Sequence, residues 1–322
     1  MLLDFIKTEK CFKLVCGAGN EDALEVEKLV TLYSKAGCNI FDVSANPEII
    51  NAAKRGIRKS GITQNRYICC SVGIKGDPHT SKAYIDSDLC TKCGQCTELC
   101  ERNAIQKSSI NFEINRQKCI GCSKCIKACP KDAIKLSYEY TDLRKVLPKI
   151  IEQGIDCIEF HAISDDDFDA ENKWQILNEL YNGPLSICVD RQKLSNERLL
   201  KRVKNMLKIR TPFTTIIQAD GVPMSGGKDD FKTTLQSVAT AELFQNEQLP
   251  VYLFLSGGTN SKSTELASLC GVHINGVAIG SFARKIVKDF INREDSLENE
   301  EIFNQALEIA TNLVDKSLTN IN

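Results

Sequence analysis

The chain has 322 residues and 42% hydrophobic content, enough for one large domain or two ordinary ones around a sizeable core. Lys and Arg total 41 against 42 Asp and Glu, so the near-zero net charge favours no nucleic-acid partner. The N-terminus lacks the basic region and apolar run of a secretory signal. The longest apolar runs, such as Val251 to Leu255, are too short to span a membrane. We therefore expect a globular, cytoplasmic protein that is not membrane-spanning.

Short β-branched or apolar runs alternate with longer amphipathic stretches along most of the chain, the pattern of βα units and a parallel sheet. The predicted strands are Phe12 to Cys16, Asn39 to Val43, Tyr67 to Val72, Cys157 to His161, Leu185 to Val189, Thr214 to Gln218, Val251 to Leu255 and Gly276 to Ile279. Helical patterns begin near Glu21, Pro47, Thr141, Asp167, Ser195, Asp230, Ser261 and Arg284, and an extra helix is predicted from Glu300 to Ser317. Eight such units favour an α/β fold, a TIM-type (β/α)8 barrel. A doubly wound open sheet is the rival architecture.

The stretch between the third strand and its helix has a different pattern and is predicted to be an inserted domain. We assign residues 1–79 to the first part of the barrel and residues 80–140 to an inserted ferredoxin-like α+β domain. Residues 141–295 form the remainder of the barrel, and residues 296–322 contain the extra C-terminal helix.

The inserted domain contains a duplication, because residues 85–105 recur as residues 114–134 with four cysteines in register. The two motifs are Cys90-x2-Cys93-x2-Cys96-x3-Cys100 and Cys119-x2-Cys122-x2-Cys125-x3-Cys129-Pro130. Three closely spaced cysteines suit three corners of a 4Fe-4S cluster, and in two-cluster ferredoxins the fourth cysteine serves the other cluster. We therefore predict two 4Fe-4S clusters, one held by Cys90, Cys93, Cys96 and Cys129 and one by Cys119, Cys122, Cys125 and Cys100. Each fourth cysteine is expected at the start of a helical turn that carries it away from its own loop.

Zinc is the alternative occupant of these cysteines, but it prefers two separated pairs around one tetrahedral ion. A three-iron form of either cluster stays open if one ligand is badly placed. The other cysteines lie mostly in or beside predicted strands and are expected to be small buried hydrophobes. They are Cys11, Cys16, Cys38, Cys69, Cys70, Cys157, Cys188 and Cys270.

Two glycine-containing loops follow the seventh and eighth predicted strands, where TIM-type barrels often bind phosphate. Their residues are Ser256, Gly257, Gly258, Thr259 and Asn260, then Gly280 and Ser281. The alternative is that the glycines only make tight turns. If the loops bind an anion, Gly257→Asp should abolish phosphate binding with little loss of fold. A third Gly-rich stretch, Met224 to Lys228, is predicted to be a mobile lid.

Polar side chains are also expected at the carboxyl ends of the strands, where active sites of such barrels lie. These are Asp42, Ser44, Glu159, His161, Asp190, Gln218 and Asp220. Glu159 and His161 lie two apart on one strand, so they share a face and could cooperate as acid and base. The alternative is a satisfied polar network without catalysis.

Segments along most of the chain resemble the cyanobacterial light-dependent-period (LdpA) family: Phe12 to Ala18, Phe41 to Pro47, Gly76 to His79, Leu255 to Asn260 and Gly276 to Arg284. The barrel part also resembles a plastid-encoded TIM-barrel family of uncertain activity. The first resemblance implies an iron–sulfur redox protein that reports the light or redox state of the cell to the circadian clock. It further implies contacts with clock proteins and sensing of quinones.

Three functions compete. The leading hypothesis is a non-catalytic redox sensor or electron-transfer protein with a redox protein partner. The rival is an oxidoreductase that binds FMN through the Gly257 and Gly280 loops and receives electrons through the ferredoxin-like domain. Against a flavin, the sixth predicted strand ends in Gln218-Ala219-Asp220, without a Lys or Arg. The third possibility is a barrel that binds another small phosphorylated molecule, with purely structural clusters.

Overall fold

The computed structural model describes residues 1–73, 81–109, 111–137, 142–221 and 228–321. Twelve strands lie in these ranges: β1 Cys11–Val15, β2 Ile40–Ser44, β3 Tyr67–Gly73, β4 Lys82–Ile85, β5 Ile105–Lys107, β6 Phe112–Ile114, β7 Ile134–Ser137, β8 Cys157–His161, β9 Leu185–Val189, β10 Thr215–Asp220, β11 Tyr252–Ser256 and β12 Gly276–Ile279. The helices are α1 Leu2–Thr8, α2 Ala23–Lys35, α3 Pro47–Ser60, α4 Gln95–Glu98, α5 Lys124–Ala128, α6 Leu143–Glu152, α7 Asp167–Leu180, α8 Asn196–Leu207, α9 Phe231–Asn246, α10 Ser263–Leu269, α11 Ser281–Ile286, α12 Lys288–Asn292 and α13 Glu300–Thr319.

Eight parallel strands close into a barrel in the order β1-β2-β3-β8-β9-β10-β11-β12, and β12 pairs back onto β1. This closure confirms the predicted TIM-type barrel and excludes the open sheet. All eight predicted barrel strands are present, with their ends shifted by at most two residues. The strands are buried almost throughout, because helices cover their outer face and side chains fill the lumen.

The longer helices begin at residues whose side chains accept a hydrogen bond from a backbone N–H of the first turn. These caps are Asp22, Asn46, Asp142, Asp166, Ser195, Asp230 and Asn299. Such capping satisfies amides that have no partner inside the helix. The caps fix where each helix starts, and hence the length of the loop at the carboxyl end of the preceding strand.

Helix α1 was not predicted from the sequence. Its Leu2 and Ile6 pack against Cys11 of β1, Cys157 of β8 and Phe254 of β11. These strand residues fill the amino-terminal end of the lumen, so α1 closes the bottom of the barrel. Any ligand of the barrel must therefore enter from the opposite end.

The ferredoxin-like insertion lies between β3 and α6. It contains two antiparallel two-stranded sheets, β4 with β7 and β5 with β6, together with the short helices α4 and α5. The predicted domain boundaries near residues 80 and 141 fall at the edges of the described ranges. The Gly76 to His79 segment and Met224 to Gly227 of the predicted lid lie outside the described residues.

Helix α13 is the predicted extra helix and extends two residues beyond its predicted end. It packs on α2 and β1 beside the barrel, with Val314 fully buried. Within the ranges given above, every helix is too short or too polar to cross a lipid bilayer.

Candidate iron–sulfur centres and barrel-mouth site

The two copies of the cysteine motif share an unusual backbone. Left-handed φ angles occur at Lys92, Gly94 and Asn103 and recur in register at Gly121, Ser123 and Asp132. The matching positions have φ of 58° and 66°, 81° and 60°, and 48° and 50°. Since left-handed φ angles are uncommon outside glycine, their recurrence at non-glycine positions shows that the loop geometry imposes them.

The two copies of the motif together line two cavities in the inserted domain, and each cavity contains cysteines of both copies. The first cavity, here the outer cavity, has about 350 Å³ of space and is lined by Cys90, Cys93, Cys96 and Cys129. The second, here the inner cavity, has about 380 Å³ and is lined by Cys100, Cys119, Cys122 and Cys125. Each cavity thus combines the first three cysteines of one motif with the fourth cysteine of the other.

The spacing of the sulfur atoms distinguishes a cluster from a single ion. In the described part of the chain, no three of these cysteines bring their sulfurs within 4.8 Å of one another. Four thiolates around one zinc ion lie closer together, because each Zn–S bond is only about 2.3 Å long. The cysteine-lined cavities therefore fit an iron–sulfur cluster better than a lone zinc ion.

Backbone amides already point at the thiols. The N–H groups of Ala104 and Ala133 donate to Cys100 and Cys129 Sγ at 3.3 Å, and Ala83 N–H donates to Cys119 Sγ at 3.4 Å. Hydrogen bonds to sulfur are one means by which a protein sets the potential of a cluster.

The helical turn in each motif differs from the prediction. Helix α4 contains Cys96 and ends just before Cys100, and Cys129 is the C-terminal cap of α5. The fourth cysteine therefore lies at or just after the end of a short helix and does not begin one. The helix still carries the fourth cysteine away from its own loop, because it advances the chain between the third and fourth positions.

Crowding changes the acid–base properties of the thiols. Burial, together with Cys122, Cys119 and Cys100, raises the pKa of Cys125 to about 12. Burial, with neighbouring Cys93 among the further causes, also raises the pKa of Cys96. Metal binding reverses this preference, because a coordinating thiol loses its proton.

The inner cavity lies against the barrel. Lys82 Nζ donates to Cys119 O at 2.8 Å and also to Gly19 O in the loop after β1. Arg102 lines the inner cavity, forms an ion pair with Glu25 of α2 and donates to Asn20 Oδ1 at 3.2 Å. Burial lowers the pKa of Lys82, with the Glu21 carboxylate acting against this change. Charged side chains thus fix the inner cavity to the β1–α2 loop.

A pocket of about 690 Å³, here the mouth pocket, opens at the carboxyl end of the barrel. Of the residues predicted from the sequence, it is lined by Asp42, Glu159, His161, Gln218, Asp220, Ser256, Gly257, Gly258, Thr259, Gly280 and Ser281. The two glycine-containing loops therefore share one pocket. Ile120, which follows Cys119 directly, also lines it. One loop thus contributes to the wall of both the inner cavity and the mouth pocket.

Lys13 was missed by the sequence analysis and lies at the centre of the layer below the mouth pocket. It is 3% exposed, pairs with Glu159 Oε2, and its Nζ lies 3.7 Å from Asp42 Oδ2. It also donates to Gln218 Oε1 at 2.9 Å. The available signal was a charged residue inside the apolar strand Cys-Phe-Lys-Leu-Val, which is unusual unless the charge is paired.

The buried charges shift one another's pKa. Burial alone would raise the pKa of Glu159, but the Lys13 ammonium and His161 lower it to about 2. Burial raises the pKa of Asp42 to about 6 despite Lys13. The pKa of Lys13 itself is raised well above its usual value, because the nearby carboxylates outweigh the effect of burial. The predicted acid–base pair, Glu159 with His161 Nε2 at 3.2 Å, is therefore part of a larger ionic network.

Asn260 does not line the mouth pocket. Its Nδ2 donates to Lys228 O at 2.8 Å and to Asp230 O at 2.7 Å, and also to Thr233 Oγ1. The side chain therefore holds the start of α9 against the loop after β11, because its donors are used there. Its backbone N–H, the kind of group through which such loops are predicted to bind an anion, donates to Ser263 Oγ at 2.8 Å. Ser44 and Asp190 are also buried but are not among the residues that line the pocket.

The expected tolerance of Gly257→Asp is wrong. Gly257 has φ of +63°, and an added Cβ would lie 1.6 Å from Asp220 Oδ1. Any side chain at this position collides with Asp220 and strains the backbone, so the substitution would disturb the fold. Arg284, from α11, lines the same pocket and donates to Val15 O at 2.6 Å, which brings a cation to the two loops.

Comparisons with known proteins agree with this architecture. Residues 149–316, more than half of the chain, match the light dependent period A C-terminal domain, and residues 83–138 match a 4Fe-4S dicluster domain. Light dependent period A of Synechococcus elongatus is 26% identical over 331 residues, covering 97% of this chain and 92% of that protein.

One of the solved structures compared, with a TM-score above 0.5, has the same fold. The YdjI aldolase from Escherichia coli K12 superposes with a TM-score of 0.51 at 8% identity, covering 98% of this chain and 95% of the aldolase. Wild-type GGGPS from Thermoplasma volcanium gives a TM-score of 0.47 at 11% identity, over 99% and 96% of the two chains. With its barrel, its dicluster domain and its matched C-terminal region, the chain belongs to the light dependent period A family of iron–sulfur proteins.

Proposed function

We propose that the chain binds two 4Fe-4S clusters and acts as a redox sensor linked to light-dependent timing. Cys90, Cys93, Cys96 and Cys129 would hold one cluster, and Cys119, Cys122, Cys125 and Cys100 the other. Support comes from the two cysteine-lined cavities, from the sulfur spacing and from the match to a dicluster domain. Bound 4Fe-4S clusters supply one-electron exchange.

The observation that carries the sensing proposal is the position of Ile120. This residue lines both the inner cavity and the mouth pocket, and it follows Cys119 directly. Lys82 ties the same segment to Gly19 in the loop that borders the pocket. A change of charge in the inner cavity would therefore act on a ligand in the mouth pocket across the short segment at Cys119 and Ile120.

The mouth pocket would bind an anionic or phosphate-bearing ligand through the loops at Gly257 and Gly280. Arg284 supplies positive charge at these loops. The output would be contact with clock proteins, and quinones are a candidate redox input. The clock link rests on membership of a family named for light-dependent period, and the quinone input is what the family resemblance of the sequence implies.

Anaerobic purification with iron and acid-labile sulfide analysis tests the proposal. Eight iron and eight sulfide per chain are expected, about four of each per cluster. Dithionite should bleach the visible absorption and give the paramagnetic signals of two reduced 4Fe-4S centres. Clusters that stay oxidised at all accessible potentials would support purely structural clusters and contradict sensing.

A flavin-dependent oxidoreductase is the second candidate, favoured by the contact of Ile120 with the mouth pocket. The lack of a cation on β10 argues less strongly against a flavin than the sequence suggested, since Lys13 of β1 reaches Gln218 on that strand. Heat denaturation distinguishes the two functions. Release of a yellow, fluorescent compound would favour the oxidoreductase, whereas a supernatant without flavin absorption would favour the sensor.

A further inference from the structure

We propose that Glu159, His161 and Cys188 form a binding site for a zinc-class divalent metal ion at the base of the mouth pocket. One ligand atom from each side chain lies within 4.8 Å of the other two. Distances of about 2.0–2.3 Å from each atom to a shared zinc ion would require only a small closing movement. The site is separate from both cysteine-lined cavities.

The barrel register creates this cluster of side chains. Glu159 and His161 alternate with Phe160 on β8, so both point into the lumen. Cys188 on β9 is the register partner of His161. All three line the mouth pocket, and none is more than 4% exposed. The three protein ligands would leave the fourth position of the metal open towards the pocket, as in catalytic zinc sites.

The surrounding groups support Glu159 as a ligand. Gln218 Nε2 donates to its Oε1 at 2.7 Å, and Ser186 Oγ donates to its Oε2 at 3.2 Å. Lys13 also pairs with Oε2, which leaves Oε1 to face His161. Hydrogen bonds of this kind orient metal-binding carboxylates. A bound metal would replace the 3.2 Å contact between Oε1 and His161 Nε2 with two coordination bonds.

The charge and chemistry of the site select the ion. Asp42, Glu159 and Asp220 are buried carboxyl groups that line the pocket, against two cations, Lys13 in their midst and Arg284 at the glycine-containing loops. A divalent cation would offset this acidic excess. A donor set of one sulfur, one imidazole nitrogen and one carboxylate oxygen suits zinc, whereas magnesium and calcium prefer oxygen ligands alone.

Metal analysis and zinc K-edge X-ray absorption on the full iron-loaded chain test the proposal. After anaerobic incubation with zinc and desalting, we expect one zinc per chain, with one sulfur at about 2.3 Å and nitrogen or oxygen at about 2.0–2.1 Å. Cys188→Ser and His161→Gln should each weaken zinc binding by more than about 100-fold while iron content is unchanged. Cys70→Ser is the matched control, because Cys70 is a buried β3 residue outside this cluster.

A second control separates this site from the iron–sulfur ligands. Cys93→Ser should lower iron content but leave the zinc signal unchanged. The proposal is overturned if Cys188→Ser and His161→Gln retain zinc like Cys70→Ser. It is also overturned if the absorption spectrum shows a shell of sulfur only, since that would locate zinc among the cluster cysteines. Circular dichroism spectra that match the native protein are required of every variant compared.

Discussion

The outer and inner cavities are built from two copies of one motif, yet they have different surroundings. Cys93 of the outer cavity is exposed, whereas its counterpart Cys122 in the inner cavity is half-buried, and burial raises the pKa of Cys122. Thr91, beside the outer cavity, is exposed, whereas its counterpart Ile120 lies in the wall of the mouth pocket. The outer copy of the motif therefore faces solvent, whereas the inner copy faces the barrel.

Electrostatic contacts follow the same division. Lys82 and Arg102 connect the inner cavity to Gly19, Asn20 and Glu25 of the barrel. Lys124 lines the inner cavity and pairs with Glu101 at 2.5 Å. These cations surround the inner cavity, so the two proposed clusters would differ in potential even though their cysteine spacing is identical.

The largest expected effect comes from replacing the fourth cysteine of either motif with serine. Cys129→Ser should damage the centre held by Cys90, Cys93 and Cys96, because serine is a poor ligand for iron compared with thiolate. Cys100→Ser should damage the other centre. The measurement is the loss of one set of paramagnetic signals, assigned with Cys93→Ser and Cys122→Ser as references. If Cys129→Ser instead matched Cys122→Ser, each motif would be self-contained.

The stability of the buried layer below the mouth pocket depends on Lys13. Lys13→Met leaves the buried carboxylates of Asp42 and Glu159 without their ammonium, and should cost about 3–5 kcal/mol of unfolding free energy. Urea denaturation measures this change. The double variant Lys13→Met/Glu159→Gln should recover part of the loss, because it removes one uncompensated charge. A cost below about 1 kcal/mol for Lys13→Met would contradict a buried ion pair.

A smaller effect is expected from loosening the contact between the inserted domain and the barrel. Lys82→Met removes the hydrogen bonds to Gly19 O and Cys119 O, which should weaken local structure by about 1.5–3 kcal/mol. Faster hydrogen exchange at residues 17–21 would report the loss. Lys135→Met, at an exposed position in the same domain, is the control and should leave these rates unchanged. Equal rates in both variants would show that Lys82 does not hold the interface.

Much of the fold could be predicted because its signals are local. The eight strands are short runs rich in apolar and β-branched residues between longer amphipathic stretches, and the two cysteine motifs have identical spacing. Helix α1 was missed because it is short and follows the chain start, and only its packing under the lumen gives it stability.

The candidate site was harder to predict because it depends on contacts between distant strands. Glu159 and His161 are two apart and could be grouped from sequence. Lys13 lies on β1 and reaches β8 across the lumen, a contact that no local pattern encodes. Asn260 belongs to a segment with the composition of an anion-binding loop, but its side chain holds the start of α9. Ile120 has an ordinary apolar side chain, and only the domain arrangement brings it to the mouth pocket.

The coupling between the inner cavity and the mouth pocket is tested most directly by a potentiometric titration of both centres. Electron paramagnetic resonance monitors their reduction with and without saturating inorganic phosphate. Phosphate in the mouth pocket should lower the potential of the inner centre by tens of millivolts, because its charge disfavours an added electron. The potential of the outer centre should not change. Equal shifts of both centres, or no shift of the inner centre when phosphate is bound, would contradict the coupling between the inner cavity and the mouth pocket.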